Sequence, residues 1–519
     1  MSKLDVLLIN PGNRTMVYQQ LGKELSAIEP PTFTLLVARY LQKRGMSVRV
    51  IDQPALDGSA SDPLNIARVV EDYDPVLVGV FVYGYQPSAS TQNMPAARAI
   101  CEAIKGLNPK RYILMSGTHP AALPVQTLQE EPVDFVCDRE GFVTTELLAK
   151  CIKAYGNDKD KLAVRVSEEV PDLWFWHSGG TLGLNELRTF NGHLFTTAQL
   201  DNLVDRPAWE LVEVNGKLDH YRCHNWHAFD NMNQRSPYAS IYSTLGCPFK
   251  CSFCCINAPF GNMLSGPRPY RFWSPEVVIK QIDILVKKYG VRQIKFVDEM
   301  FVLNEKHVFG ITDLLTQRGY DLNIWAYARV DQTQDKFLDR LKKAGINWLA
   351  LGIESGSEHV RDGANKIYSN NDITDVVKRI ENAGIWTIGN YIFGLPDDDM
   401  DSMKATFDLA TELNCEFGNF YSAMTYPGSP LYFQAVQAWL DDHWLDWESY
   451  SQHAYKTRPL GNERVSGAEV LRFRDEKHME YFGSSKYQTM LLKKFGQSAV
   501  DSVNHMLSLG KPWRELLDQ

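Results

Sequence analysis

Cys247, Cys251 and Cys254 stand in the run STLGCPFKCSFCC, a C-x3-C-x2-C triplet that directly follows a predicted strand. No fourth cysteine lies at regular spacing, which leaves a four-ligand metal site one ligand short. Cysteine thiolates hold iron-sulfur clusters, usually four to a 4Fe-4S cube, and a cube held by three has one iron open to a ligand from outside the protein. A zinc ion would need a fourth Cys or His, which usually arrives as a second hook of similar spacing. On spacing alone a cluster, a zinc ion and unliganded thiols all stay open. Cys255 adjoins the triplet and is expected to point elsewhere.

The elements around the triplet decide what could meet it. From Ile241 strands and helices alternate, with strands predicted at 240–245, 293–298, 323–329, 348–354, 387–393 and 417–424. Ser274-Pro275-Glu276 reads as a helix N-cap followed by proline at the first helical position, and Gly290 as that helix's stop. Asn304, Asp372 and Asp401 read as later caps, and Gly319, Gly345 and Gly384 as later stops. Six such units predict a partial barrel with helices outside, whose chemistry belongs at the strand C-termini. The triplet follows the first strand; the others close on Asp298-Glu299, Arg329, Glu354-Ser355 and Gly394-Leu395-Pro396, and the last leads to Tyr426. Carboxylates for an ammonium, Arg for a carboxylate and Glu or Ser for ribose hydroxyls would suit a zwitterionic ligand. Each residue alone could equally cap a helix. Tyr426 is a candidate for proton handling or stacking.

The first 150 residues also alternate, from the strand DVLLIN through strands at 47–52, 76–83, 112–116 and 134–137, which predicts a doubly wound parallel sheet. Its ligand edge would carry Asn10 to Arg14, Tyr83-Gly84-Tyr85 and Ser116-Gly117-Thr118-His119. No G-x-G-x-x-G follows the first strand, which disfavours a dinucleotide. Residues 151–235 read as an irregular connector whose Trp174, Trp176, His177, His224, Trp226 and His227 serve interdomain packing. The expected division is therefore 1–150, 151–235, 236–435 for the barrel, and a helical 436–519. Trp439, Trp444, Trp447, Tyr450, Tyr455, Tyr481 and Tyr487 of the last part are expected to close over the barrel mouth.

A chain of 519 residues exceeds what one core organises, and 44% hydrophobic with 23% charged residues is the composition of a soluble globular protein. A net charge of -9 argues against non-specific nucleic-acid binding. The longest apolar runs are strand-sized, short of the roughly 18 residues a membrane span needs, and no signal-peptide h-region precedes the first strand. Together with nine scattered cysteines these features predict a cytoplasmic protein in a reducing compartment.

The motifs CPFKCSFC, IKFVDE, WAYARVD, LGIESGSE, GNYIFGLPDDD and YPGSPLY resemble the radical S-adenosylmethionine (SAM) superfamily. LLINPG, PPTFTLLVARYLQKRGMSVRVID and SGTHPAALPVQTLQEEPVDFVCDREG narrow the resemblance to its cobalamin-binding branch, which includes methyltransferases and the anaerobic magnesium-protoporphyrin ester cyclase. It covers nearly the whole chain to about residue 435. It implies that Cys247, Cys251 and Cys254 bind a 4Fe-4S cluster whose free iron chelates SAM, with one-electron reduction giving a 5'-deoxyadenosyl radical. Phe253 would lie near the adenine, Asp298 and Glu299 at the methionyl amino group, Glu354 and Ser355 near ribose and carboxylate with help from Arg329, and Gly394-Leu395 against the adenine. Cobalamin would touch Asn10 to Arg14, Tyr83-Gly84 and Ser116 to His119, with Glu140-Gly141 nearby. The D-x-H-x-x-G motif that supplies a lower axial histidine in some cobalamin proteins is absent; the first loop reads NPGNRTMVYQQLG. His119, followed by Pro120, reads as structural.

The resemblance implies methyl transfer to an unactivated carbon of a small molecule, with an external electron donor such as flavodoxin or ferredoxin. Two alternatives stay open: a cobalamin-binding radical enzyme that oxidises or cyclises without methylating, and a non-catalytic metal- or cobalamin-binding sensor.

Overall fold

The computed structural model describes residues 3–84, 87–176, 182–184, 194–261, 268–438 and 446–518. Tyr85, His177, Trp439 and Trp444 lie outside the described residues. The apolar runs pair as parallel ladders. In the first sheet β1 (Val6–Asn10), β2 (Val48–Asp52), β3 (Leu77–Val82), β4 (Ile113–Gly117) and β5 (Phe135–Cys137) run parallel in the order β2-β1-β3-β4-β5. β3, LVGVFV, is buried at every position, as a strand covered on both faces must be. The strand order reverses between β1 and β3, so the ligand crevice of this sheet opens beside Asn10 and Tyr83. Part of the expected connector extends the sheet: β6 (Leu173–Trp176) joins β5 antiparallel, and β7 (Leu182–Leu184) joins β6.

The second sheet holds β8 (Tyr238–Ile241). A short antiparallel pair, β9 (Thr244–Leu245) with β10 (Arg271–Phe272), brackets the cysteine loop. β11 (Gln293–Phe296), β12 (Asn323–Ala328), β13 (Ile346–Glu354), β14 (Trp386–Phe393) and β15 (Phe417–Ser422) complete six parallel strands in simple succession from β8. Asn304 caps the helix Glu305–Arg318 through the His307 N–H, and Gly290 and Gly319 take left-handed conformations at helix ends as expected. Two expected caps are corrected: the caps are Ser369 and Asp399. A cap must stand outside the helix so that its oxygen reaches the third N–H; Asp372 is that third residue of a capping box and Asp401 lies in the first turn.

The C-terminal helices Gly467–Gly483, Ser485–Phe495 and Gln497–Ser508 do not close the barrel mouth. They cover the open β15 edge and the opposite end of the sheet: Tyr481 and Tyr487 donate from Oη to the carbonyls of Cys415 and Glu416, just before β15, at 2.8 and 2.9 Å. Phe495 stacks on Trp348 near the start of β13. An unpaired sheet edge needs such a cover. Trp447 and Tyr450 pack instead on the apolar layer of the first sheet. Thr32 donates to the Ser240 carbonyl at 2.8 Å and Arg271 pairs with Glu140 at 2.6 Å, which locks the two sheets with their strand C-termini facing one another.

Candidate active site

Beyond β9 the chain turns through Gly246, at φ +85 and close under the Pro269 carbonyl, into Cys247. Asn257 holds this turn by accepting from the Cys247 N–H at 3.0 Å and donating to its carbonyl at 2.8 Å. Cys247, Cys251 and Cys254 line one cavity of about 250 Å³, together with Phe253, Glu299, Arg329 and Glu354. Burial raises the Cys247 thiol to about 12 and holds Cys254 well above the ordinary thiol value, with neighbouring thiols adding to both. Among the described residues no three His, Cys, Asp or Glu stand at the spacing of a single bound ion. Tetrahedral zinc would draw its thiolates to within about 4 Å of one another, whereas a cube takes each thiolate at a separate corner. Cys255 points away, into the apolar layer of the first sheet.

The two carboxylates after β11 separate. Asp298 is fully buried and accepts from the N–H groups of Ser243 and Thr244 at 2.6 and 3.0 Å and from the Ser243 hydroxyl, so it braces the stem of the cysteine loop and does not line the cavity. Burial, offset by those bonds, sets its carboxyl at about 6. Glu299 lines the cavity, and its buried Oε2 has no partner. Burial above all, with the Asp298 charge behind it, raises its carboxyl to about 8. Arg329 is held by Asp331 through two bonds of 2.9 Å, lies over the Phe249 ring, and directs Nη1 at the Cys251 sulfur, 3.5 Å away.

At the end of β13 the backbone bulges, and Glu354 takes a left-handed φ of +66 that aims its carboxylate inward. Lys366 meets it at 2.7 Å, both groups buried; burial works against the ammonium, but the carboxylate outweighs it and raises the lysine. Removing one partner of such a pair costs about 3–5 kcal/mol because it strands the other charge. Lys366→Met should lower stability in urea unfolding by that order, and Glu354→Gln in the same chain should recover most of it. Ser355 is turned away to Thr406 at 3.0 Å. The amides of Gly394 and Leu395 are taken by Asp398 at 3.0 Å each, so this backbone faces its own turn and Ile392 reaches the cavity instead. Tyr426 lines the cavity and accepts from Gln452 at 3.2 Å.

A second cavity of about 270 Å³, the inner chamber, lies between the two sheets. Tyr327, Ala350, Asn390, Tyr421, Gly84 and Gln452 line both spaces, so the two adjoin. Asn10, Arg14, Tyr83 and Gly84 line the chamber from the first sheet's switch point. Ser116, Gly117, Thr118, His119 and Glu140 do not, because β4 ends one strand beyond that point and its loop is sealed. His119 packs edge-on against Trp447 at 4.4 Å with Nδ1 3.2 Å from the Thr91 hydroxyl, Ser116 lies against the Arg139 carbonyl, and Glu140 is bound by Arg271. Burial lowers His119 to about 3, so the imidazole is neutral.

Beneath the first loop, Asp52 accepts from Asn10 and Tyr221 at 2.8 Å each, and burial, partly offset by these bonds, raises it to about 7. A carboxyl raised above its unfolded value contributes fully below about pH 4 and loses that contribution as pH rises through about 7. The melting temperature should fall between pH 5 and 8, and less so in Asp52→Asn.

Glu29, His224, Trp226, Lys295 and Arg474 of the chamber wall were not singled out as site residues in the sequence. Of these, Lys295 alone carries a local sequence signal, a lysine within the apolar strand QIKF; it is buried and bound to Glu29 at 3.1 Å.

Residues 241–410 match the Radical SAM superfamily model and residues 23–149 the B12 binding domain model. The chain is a radical SAM enzyme with a B12 binding domain on its N-terminal side. It is 26% identical over 440 residues to an uncharacterized methyltransferase of Pyrococcus horikoshii, covering 84% of each chain. It is 22% identical over 435 residues to the anaerobic magnesium-protoporphyrin IX monomethyl ester cyclase of Rubrivivax gelatinosus, covering 82% of this chain and 69% of the cyclase. In fold it is similar to the radical SAM methyltransferase TsrM of Kitasatospora setae, with TM-score 0.62 and 18% identity over 84% of this chain and 78% of TsrM. These two domains imply a 4Fe-4S cluster, SAM and cobalamin. The residues fit them. Three thiols and an unpartnered carboxylate face one cavity. Asn10, Asn13, Gln92, Asn93 and the unpartnered Nη1 of Arg14 offer the chamber amide and guanidinium groups that suit an amide-fringed corrin. Among the described residues no helix is long and apolar enough to cross a membrane.

Proposed function

We propose that the chain transfers a methyl group to an unactivated carbon of a small molecule, drawing electrons from a flavodoxin- or ferredoxin-like donor in the cytoplasm. The supporting observation is that the two cavities adjoin: one is lined by the three thiols, the other by the switch-point loops of the B12 binding domain, and both share Tyr327 and Tyr421. When bound, the cluster would supply electrons one at a time and cobalamin a transferable methyl group. Cys247, Cys251 and Cys254 would hold the cluster, and Arg329 would donate to the Cys251 sulfur and steady its negative charge. Glu299 would accept from the ammonium of SAM, satisfying its free Oε2. Glu354, fixed by Lys366, would face the ribose, and Phe253 the adenine. Gln452 lines both spaces and donates to Tyr426, which lines the thiol cavity and would hold a substrate proton or ring.

Methyltransferases among the relatives support this reading, including the cytidylyl-2-hydroxyethylphosphonate methyltransferase of Streptomyces wedmorensis, 21% identical over 467 residues. The cyclase relative supports a second, non-methylating reading of the same cavities. Anaerobic reconstitution followed by incubation with SAM and dithionite tests the radical step: the account expects 5'-deoxyadenosine, and its absence from a protein carrying four irons refutes it.

A further inference from the structure

The inner chamber is also lined by the C-terminal helices. There Arg474 faces it beside His453 and His478. Arg474 and Arg514 share a single carboxylate, Asp475, at 2.5 and 2.9 Å, and all three side chains are at most 4% exposed. Two guanidiniums on one carboxylate leave a buried positive charge without a counter-charge, an arrangement that is costly unless something else pairs with it. Arg514 is spent on backbone and protein oxygens, donating to the carbonyls of Ala454 and Gln452 and to Thr457. Arg474 is not: one bond each to the Phe420 carbonyl, Asp475 and His453 engages three of its five N–H groups.

The neighbours add no negative charge. Burial, then the Arg474 charge, holds His453 well below the ordinary imidazole value and His478 at about 3, so both are neutral. The other charged groups lining the chamber are Arg14, on the first-sheet side, and the Lys295–Glu29 pair, which cancels at 3.1 Å. The chamber wall also carries an aromatic group: Trp226 and Trp325 meet edge to face at 5.4 Å, and Trp325 meets Tyr327 at 5.1 Å.

We propose that the inner chamber binds a carboxylate-bearing small molecule with a flat apolar body, its anionic end on Arg474 and its body against Trp226, Trp325 and Tyr327. This rests on the proposed function, with cobalamin against the first-sheet loops at Asn10 and Arg14 and the rest of the chamber left to the substrate. Held so, the body lies along Tyr327, which also lines the thiol cavity.

Isothermal titration of the anaerobically reconstituted protein with 2-naphthoate and with its neutral carboxamide tests the proposal. Naphthoate should bind at least about tenfold more tightly, as a charge-assisted bond in a buried site implies. In Arg474→Gln the two probes should bind within about twofold of each other, while Arg474→Lys, which keeps the charge and the pairing with Asp475, should retain the preference. Equal binding of the probes to the unaltered protein overturns the proposal even if Arg474→Gln does not fold, and so does a preference that survives in folded Arg474→Gln. In the unaltered protein, equal binding of the two probes with intact 5'-deoxyadenosine formation refutes this inference alone; a preference for naphthoate without 5'-deoxyadenosine refutes the catalytic reading alone.

Discussion

Cys251→Ala is expected to abolish both the broad absorption at about 420 nm of the reconstituted protein and the formation of 5'-deoxyadenosine. A cube held by three thiolates already leaves one iron to an outside ligand, so removing a further corner leaves two irons unheld and the cluster is lost. Activity should fall by on the order of a thousandfold or more, to background. Cys255→Ala is the matched control, because its sulfur lies one residue from the triplet yet packs in the first-sheet layer. It should keep the absorption and the activity. Iron and sulfide analysis with the optical spectrum checks both variants.

The second large effect concerns Glu299. Its Oε2 is buried without a partner, and an ammonium placed there would form a charge-assisted bond worth roughly 1.5–3 kcal/mol. Glu299→Gln should therefore weaken SAM binding about 10- to 100-fold, measured by equilibrium dialysis, while leaving the cluster absorption intact. Asp298→Asn should behave differently. Asp298 accepts from two backbone N–H groups and a hydroxyl at the stem of the cysteine loop, and an amide cannot accept them all. Its replacement should lower cluster content as well as SAM binding. A Glu299→Gln protein that binds SAM normally would remove the carboxylate from the account.

The contrast between these neighbours shows where sequence reading reaches its end. The strand QIKF before them was legible from its apolar run, as were all six strands of the second sheet and the five parallel strands of the first. The triplet was legible because its spacing belongs to few kinds of site. Which of two adjacent carboxylates faces the ligand depends on a loop just past the strand, where the alternation that fixes side-chain direction no longer applies. Ser355, Gly394 and Leu395 show the same limit: each follows a strand end, and each is turned to a local partner, Thr406 or Asp398. The loops of the first sheet divided for a reason of topology. Only β1 and β3 flank the switch point, so Asn10 and Tyr83 reach the chamber and the β4 loop does not. Lys366, His224 and Arg474 gave no local signal, because none of them lies on a strand whose alternation fixes side-chain direction. Arg474 in particular reads as one more charge on a polar helix until Asp475 and Arg514 are seen around it.

The most direct measurement of the central claim uses SAM carrying a trideuterated methyl group, incubated anaerobically with the reduced, cobalamin-loaded protein and a small-molecule extract. The account predicts a product heavier by an intact trideuteromethyl group, formed together with 5'-deoxyadenosine and S-adenosylhomocysteine in equal amounts. A product formed with 5'-deoxyadenosine but without deuterium and without S-adenosylhomocysteine would contradict methyl transfer.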